Sequence, residues 1–154
     1  MINIVSATKA EDVARAKELI EEYVLSLSID LSFQNFANEM ATFPAKYSPP
    51  SGCVLVARRG DSIVGCVALR DLGEGLCEMK RMYVQPTSRG KGLGRALAKA
   101  VIDEARRIGY ARMRLDTNPS LHAAIHIYVS LGFKDIDPYE FNPVEGARYF
   151  ELKL

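Results

Sequence analysis

The sequence predicts a layered α/β or α+β domain, and three observations predict it. Strand-like apolar runs and helical periodicities alternate along the chain, with no repeat and no linker between them. A glycine-rich turn, Arg89-Gly90-Lys91-Gly92-Leu93-Gly94, joins an extended run ending Val84-Gln85-Pro86 to a long helical run. The chain has 154 residues, 48% hydrophobic and 25% charged. That suffices for one proper core and is too short for two ordinary domains, so residues 1–154 read as a single domain.

The elements follow in order. Ile2 to Val5 is a first strand. Thr8-x-x-Glu11 has the form of a capping box, and Val13, Ala16, Leu19, Ile20, Tyr23, Val24 and Leu27 then recur at helical spacing. A short second helix is expected from Leu31 to Met40, with Phe33, Phe36 and Met40 on one side. Tyr47 to Gly52 is a loop by its prolines and glycine. Cys53 to Ala57 and Ser62 to Leu69 are strands joined by a turn at Arg58 to Asp61. The tripeptide Arg59-Gly60-Asp61 is known from adhesion proteins; here it reads as the hairpin turn. Glu78 to Val84 is the next strand, and Leu93 to Ile108 the main helix, stopped by Gly109. Met113 to Asp116 ends another strand, Ser120 after Pro119 opens a helix to Leu131, and Phe133 to Ile136 and Arg148 to Leu152 are the last strands.

Composition narrows the function. A net charge of +1 gives no global field for nucleic acid or membrane. No apolar run reaches the length of a membrane span. Met1 to Val5 lacks the basic start and apolar stretch of a signal peptide. The three cysteines, Cys53, Cys66 and Cys77, each sit in an apolar strand-like segment, which suggests buried, reduced thiols and a cytoplasmic location. Neither C-x-x-C nor H-x-x-H occurs. His122 and His126 stand four apart on one helix, but without a third ligand they read as a solvated face, so no metal is expected.

The glycine-rich turn asks for a phosphate. The free N–H groups of a helix start point one way, the helix dipole adds positive charge, and glycines let an anion approach the backbone. Arg89, Lys91 and Arg95 add formal charge. A Walker A loop fails because Gly90-Lys91 is followed by Gly92, and the dinucleotide fingerprint fails because its third glycine position is Arg95. The pattern [R/Q]-x-x-G-x-[G/A] is met by Arg89, Gly92 and Gly94. With Glu78 to Pro86 before it and a long helix after it, the turn resembles the pyrophosphate loop of the GNAT superfamily of acetyl-CoA-dependent N-acyltransferases. Ala124-x-x-x-Tyr128-x-x-x-Gly132-Phe133 resembles a second segment of that family. The two cover roughly residues 76 to 136.

The resemblance implies a three-layer fold. Its mixed, mostly antiparallel sheet has about seven strands, helices on both faces and a central parallel pair that parts at one end. The pair would be Cys77 to Val84 and Arg112 to Asp116, with the pantetheine arm of acetyl-CoA against the backbone of Met82 and Val84. The cofactor residues it implies are Met82, Tyr83 and Val84 on the strand and Arg89, Gly90, Lys91, Gly92, Leu93, Gly94 and Arg95 at the turn. Many members carry Asn at the position of Leu121, seven residues before Tyr128; Asn118 is the substitute, unless it only shapes the turn.

Acyl transfer to an amine needs a base, an oxyanion donor and an acid for the leaving thiolate. Glu78 is the candidate base, directly or through water, on a strand whose alternation puts Glu78, Lys80, Met82 and Val84 on one face. Its plain reading is a salt bridge with Lys80 or Arg114, and Asp71 and Glu74 are loop alternatives. Tyr128 is the candidate acid, and the backbone N–H groups of Met82 to Val84 are the candidate oxyanion donors. The aromatic and acidic stretch Asp137 to Gly146 suits the lip of an acceptor pocket, and a small amine or amino-acid-like acceptor suits Tyr139, Asn142 and the acids of the stretch. Arg70 or Arg114 would suit a small acid. A protein or peptide N-acetyltransferase and a non-catalytic acetyl-CoA sensor are the alternatives, and a homodimer is allowed for.

Overall fold

Apolar runs buried on both faces make the centre of the molecule. The structure, a computed structural model, describes residues 2–27 and 35–154. Its strands are β1 (Ile2–Ser6), β2 (Cys53–Arg59), β3 (Ser62–Gly73), β4 (Leu76–Val84), β5 (Arg112–Thr117), β6 (Lys134–Asp135) and β7 (Arg148–Lys153). Its helices are α1 (Ala10–Leu27), α2 (Phe36–Thr42), α3 (Leu93–Ile108) and α4 (His122–Ser130). The expected positions Leu31 and Phe33 lie outside the described residues.

The seven strands form one sheet in the order β1-β2-β3-β4-β5-β7-β6. Only β4 and β5 run parallel; the other neighbours are antiparallel. Period-2 alternation sends successive strand residues to two separate cores. Leu55, Val67, Leu69, Met113, Leu115 and Phe150 pack with Leu97 and Val101 of α3. Val54, Val56, Ile63 and Cys66 pack on the opposite face with Ala16, Leu19 and Ile20 of α1 and with Tyr47. The helix α3 buries Leu93, Leu97, Ala98, Val101, Ile102 and Ala105, an apolar stripe at helical spacing. It stops at Gly109, whose φ of 108° lets its N–H reach the Ala105 carbonyl.

Two irregularities of β4 position the site. The parallel pairing with β5 covers only Leu76, Cys77 and Glu78 opposite Arg112, Met113 and Arg114. Beyond Glu78 the strands part, so the groups of β4 that would bond β5 face a gap. Against β3, Cys66 faces Tyr83 and Ala68 faces Lys80, so Val67 alone stands opposite both Arg81 and Met82. This is a β-bulge, and Arg81 takes a φ of 59°.

The bulge corrects one sequence expectation. Before it, Cys77 and Met79 face the α3 core; after it, Val84 belongs to that core and Met82 packs against it, while Tyr83 joins the α1 core. Glu78 and Lys80 therefore do not share a face with Met82 and Val84, because the extra residue shifts the alternation by one.

Candidate active site

The glycine turn opens the site. After Val84, a 3-10 turn over Pro86–Ser88 brings the chain to Gly90 and Gly92, with φ of 80° and 76°. Gly92 is the N-cap of α3 and no side chain among the described residues caps the helix there, which leaves the first-turn N–H groups for an anion. A groove of about 530 Å³ runs from this turn between β4 and α4. Of the residues that the resemblance implies for the cofactor, Met82, Tyr83, Val84, Arg89, Gly90, Gly92, Leu93 and Gly94 line it; Lys91, Arg95 and Asn118 do not. Arg89 folds back to donate from Nε to the Val84 carbonyl at 2.8 Å, and its guanidinium lies 5.5 Å from the Tyr83 ring centre. Arg95 ties α3 to α4 through the Ser130 hydroxyl at 2.6 Å.

A smaller cavity of about 80 Å³ adjoins the groove. Lys80 from β4, Asp116 from β5, Asn118 after it and Asn142 from the loop before β7 contribute to its wall. Tyr23, Met82, Leu121 and Tyr128 line both spaces, so they mark where groove and cavity join. The Asn118 side-chain oxygen accepts from the Ser120 N–H at 2.9 Å and from the Ser120 hydroxyl at 2.8 Å. This Asx turn delays the start of α4 to His122, two residues past the expected Ser120.

Tyr128 is 7% exposed, with its ring against Phe133 and Phe150 at centre distances of 5.8 and 6.3 Å. Burial pushes its hydroxyl above the usual tyrosine range. It therefore keeps its proton at neutral pH, as a proton donor must.

Glu78 is fully buried. Arg70 donates from Nε to its Oε1 at 2.7 Å, the Tyr139 hydroxyl donates to its Oε2 at 2.6 Å, and Lys80 Nζ lies 3.9 Å away. Burial alone would raise its carboxyl. The charges of Lys80 and Arg70 and the bonds from Tyr139 and Arg70 outweigh that and hold it below the usual range. Arg114, the other partner considered, instead donates to Glu151 at 2.8 Å. Glu78 lines neither the groove nor the cavity. It connects to the cavity through Lys80 and Asp116, since carboxylate oxygens of Glu78, Asp116 and Glu140 all lie within 4.8 Å of one another.

Glu140, which the sequence marks only as one of the acids of the lip, joins this cluster. Arg70 lies between it and Glu78, with Nη2 3.7 Å from Glu140 Oε2. Its buried Oε1 has no hydrogen-bond partner within bonding geometry among the described residues. Burial, and the charge of Glu78 beside it, push its carboxyl up to about 7. Asp116 is held by Asn142 Nδ2 at 2.9 Å. The signal was the stretch Asp137 to Gly146, which the sequence marked as a lip without assigning Tyr139 or Glu140 to Glu78. His122 and His126 are exposed on α4 and stand apart from this cluster. Among the described residues, no helix is long and apolar enough to cross a membrane.

Known proteins agree with this fold. The profile of the acetyltransferase (GNAT) family matches residues 9–133. An uncharacterized N-acetyltransferase of Schizosaccharomyces pombe is 41% identical over 155 residues, covering 99% of this chain and 95% of its own. N-acetylaspartate synthetase of Danio rerio is 34% identical over 128 residues, covering 80% of this chain and 45% of its own. The crystal structure of the PaiA N-acetyltransferase of Thermoplasma acidophilum in complex with coenzyme A superposes with a TM-score of 0.74 at 17% identity. It covers 100% of this chain and 99% of its own. The uncapped glycine turn, the parted parallel pair and the matched span lead to one conclusion: the chain belongs to the GNAT acetyltransferase family and is an acetyl-transferring enzyme.

Proposed function

We propose that the enzyme transfers the acetyl group of acetyl-CoA to the primary amine of a small, amino-acid-like acceptor. The observation that carries this reading is the junction at Tyr128 between an open groove and a small cavity of mixed charge. The pyrophosphate would sit on the N–H groups after Gly92, and the pantetheine arm would add itself to the free edge of β4 at Met82 to Val84. Asn118, at the cavity wall, would meet the thioester end of the cofactor.

The acceptor fits the cavity by size and charge. Asp116 suits an ammonium, Lys80 suits a carboxylate, and about 80 Å³ suits a molecule of few heavy atoms. The name of the Danio rerio relative, an N-acetylaspartate synthetase, supports an amino acid as acceptor. Three free, buried cysteines support a cytoplasmic location.

Chemistry then proceeds by direct attack. The acceptor ammonium gives one proton, through a water or Asp116, to the carboxylate cluster of Glu78, Asp116 and Glu140, in which Glu78 supplies the charge and Glu140, raised to about 7, can hold the proton. The amine nitrogen forms a bond to the thioester carbon, and N–H groups of Met82 to Val84 hold the oxyanion. The C–S bond breaks, Tyr128 gives its proton to the departing thiolate, and the nitrogen's surplus proton restores Tyr128. The products are the N-acetyl acceptor, coenzyme A and one proton on the acidic cluster.

Thiol release from acetyl-CoA, followed across a panel of amino acids, simple amines, lysine peptides and protein N-termini, tests the acceptor. Release with small amino acids above the hydrolysis background is the expected result. Release only with peptides or protein N-termini would overturn the acceptor reading, and silence across the panel would overturn the enzymatic one.

A further inference from the structure

Arg81 takes a φ of 59° within a strand, the left-handed region that a residue with a Cβ keeps only when its surroundings hold it there. It is one of the two residues facing Val67 across the bulge. Its side chain is 5% exposed and forms a two-pronged ion pair with Glu39 of α2. Nε donates to Oε2 at 3.0 Å and Nη2 to Oε1 at 2.9 Å. Glu39 is itself fixed on its other side: the Tyr47 hydroxyl donates to it at 2.9 Å, and Lys46 Nζ lies 3.2 Å away. The Arg81 guanidinium also lies 5.3 Å from the centre of the Phe36 ring.

Neither Glu39, Lys46 nor Tyr47 lines the groove or the small cavity. A buried ion pair is a poor way to add stability, since desolvation offsets most of the attraction. A fork-to-fork pair does fix the rotation of a guanidinium, and through it the backbone that carries it. Arg81 itself reaches the wall of the small cavity beside Lys80, and Met82 to Val84 follow it along the groove.

We propose that Glu39 is a positioning residue: by gripping Arg81 it holds the bulge of β4 in its left-handed form and so aims the N–H groups of Met82 and Val84 into the gap between β4 and β5. The proposal rests on the reading above in which those groups receive the thioester arm. The sequence hides this relationship, because Glu39 and Arg81 belong to distant elements and Arg81 sits where alternation expects ordinary strand.

The test separates positioning from packing. Glycine adopts a positive φ without help, so Arg81→Gly removes the need for Glu39. Glu39→Gln is expected to lower kcat about 10-fold or more while acetyl-CoA affinity changes by less than about 3-fold. The double variant Glu39→Gln/Arg81→Gly is expected to recover most of that kcat, although both partners of the ion pair are gone. A Glu39→Gln enzyme with undiminished kcat overturns the proposal, and so does a double variant slower than Glu39→Gln at saturating acceptor, the condition that leaves the effect of a widened cavity in the acceptor KM and that of a misaimed strand in kcat. Should Glu39→Gln fail to fold, the double variant decides alone: kcat near the original supports the proposal, and a loss of about 10-fold or more overturns it. The Cα chemical shift of residue 81 in Glu39→Gln reports the backbone without any turnover. A retained left-handed shift overturns the proposal, whereas a wild-type protein that fails to bind acetyl-CoA in calorimetry overturns the proposed function instead.

Discussion

The Tyr139 hydroxyl donates a hydrogen bond of 2.6 Å to Glu78, across the sheet face from a loop near the end of the chain. Arg70 Nε holds the other carboxylate oxygen at 2.7 Å. A fully buried carboxylate is thus kept charged by donors from two elements and by Lys80 beside it. The Tyr139 hydroxyl in turn is pushed up by burial and by the charge of Glu78, so it serves Glu78 as a donor and not as a base.

Removing that hydroxyl raises the Glu78 carboxyl, because the lost bond favoured the charged form. In Tyr139→Phe the acidic limb of the kcat/KM profile is expected to move to higher pH, with a stability loss of about 1–2 kcal/mol. The limb belongs to the Glu78 and Glu140 pair as a whole. In Glu78→Gln its Glu78 component is expected to disappear, leaving the titration of Glu140 alone. A pH-rate profile unmoved in both variants would remove the acidic cluster from the reaction.

The glycine turn predicts a binding defect. Gly92 has a φ of 76° and heads α3 without a side-chain cap. Gly92→Asp places a carboxylate against the pyrophosphate and is expected to abolish acetyl-CoA binding in calorimetry. Gly92→Ala adds only backbone strain, for about 1 kcal/mol of stability and a partial loss of affinity. Undiminished binding by Gly92→Asp would place the cofactor elsewhere.

Two glutamates give stability opposite pH dependences. Burial would raise the Glu39 carboxyl, but the Arg81 hydrogen bond and charge bring it down to about 2. Its contribution is present above the ordinary glutamate range, about 4.3, and is lost as pH falls towards 2. The Glu140 carboxyl is raised to about 7, so its contribution is complete below the ordinary range and is lost as pH rises through 7. Glu140→Gln is therefore expected to gain stability relative to the original enzyme between pH 5 and 8, by about 1–2 kcal/mol after allowance for solvent screening. Denaturant titrations at the two pH values measure it, and a constant difference between the proteins would contradict the assignment.

Much of this architecture is legible in the chain because its signals are local. The stop at Gly109, the amphipathic stripe of α3 and the glycine turn each depend on a few adjacent residues. The approximate bounds of β2, β4 and β5 followed from apolar runs, although β3 continues to Gly73, past the expected Leu69. The bulge at Arg81 was not legible, since period-2 reasoning has no place for an extra residue and arginine carries no turn signal. The grip of Glu39 on Arg81 and of Tyr139 on Glu78 arises only when distant elements pack. Tyr128 was legible as a motif position. Its place at the junction of groove and cavity came only from the fold.

Steady-state kinetics of Tyr128→Phe, paired with acetyl-CoA calorimetry on the same protein, test the central claim that Tyr128 joins the cofactor groove to the acceptor cavity and protonates the leaving thiolate. The substitution removes one oxygen from a ring that otherwise keeps its packing on Phe133 and Phe150. The account predicts that kcat falls about 100-fold while the acetyl-CoA dissociation constant changes by less than about 2-fold, as for a group used only in the transition state. Equal turnover by Tyr128→Phe, or a loss of cofactor affinity that accounts for the whole loss of activity, would contradict it.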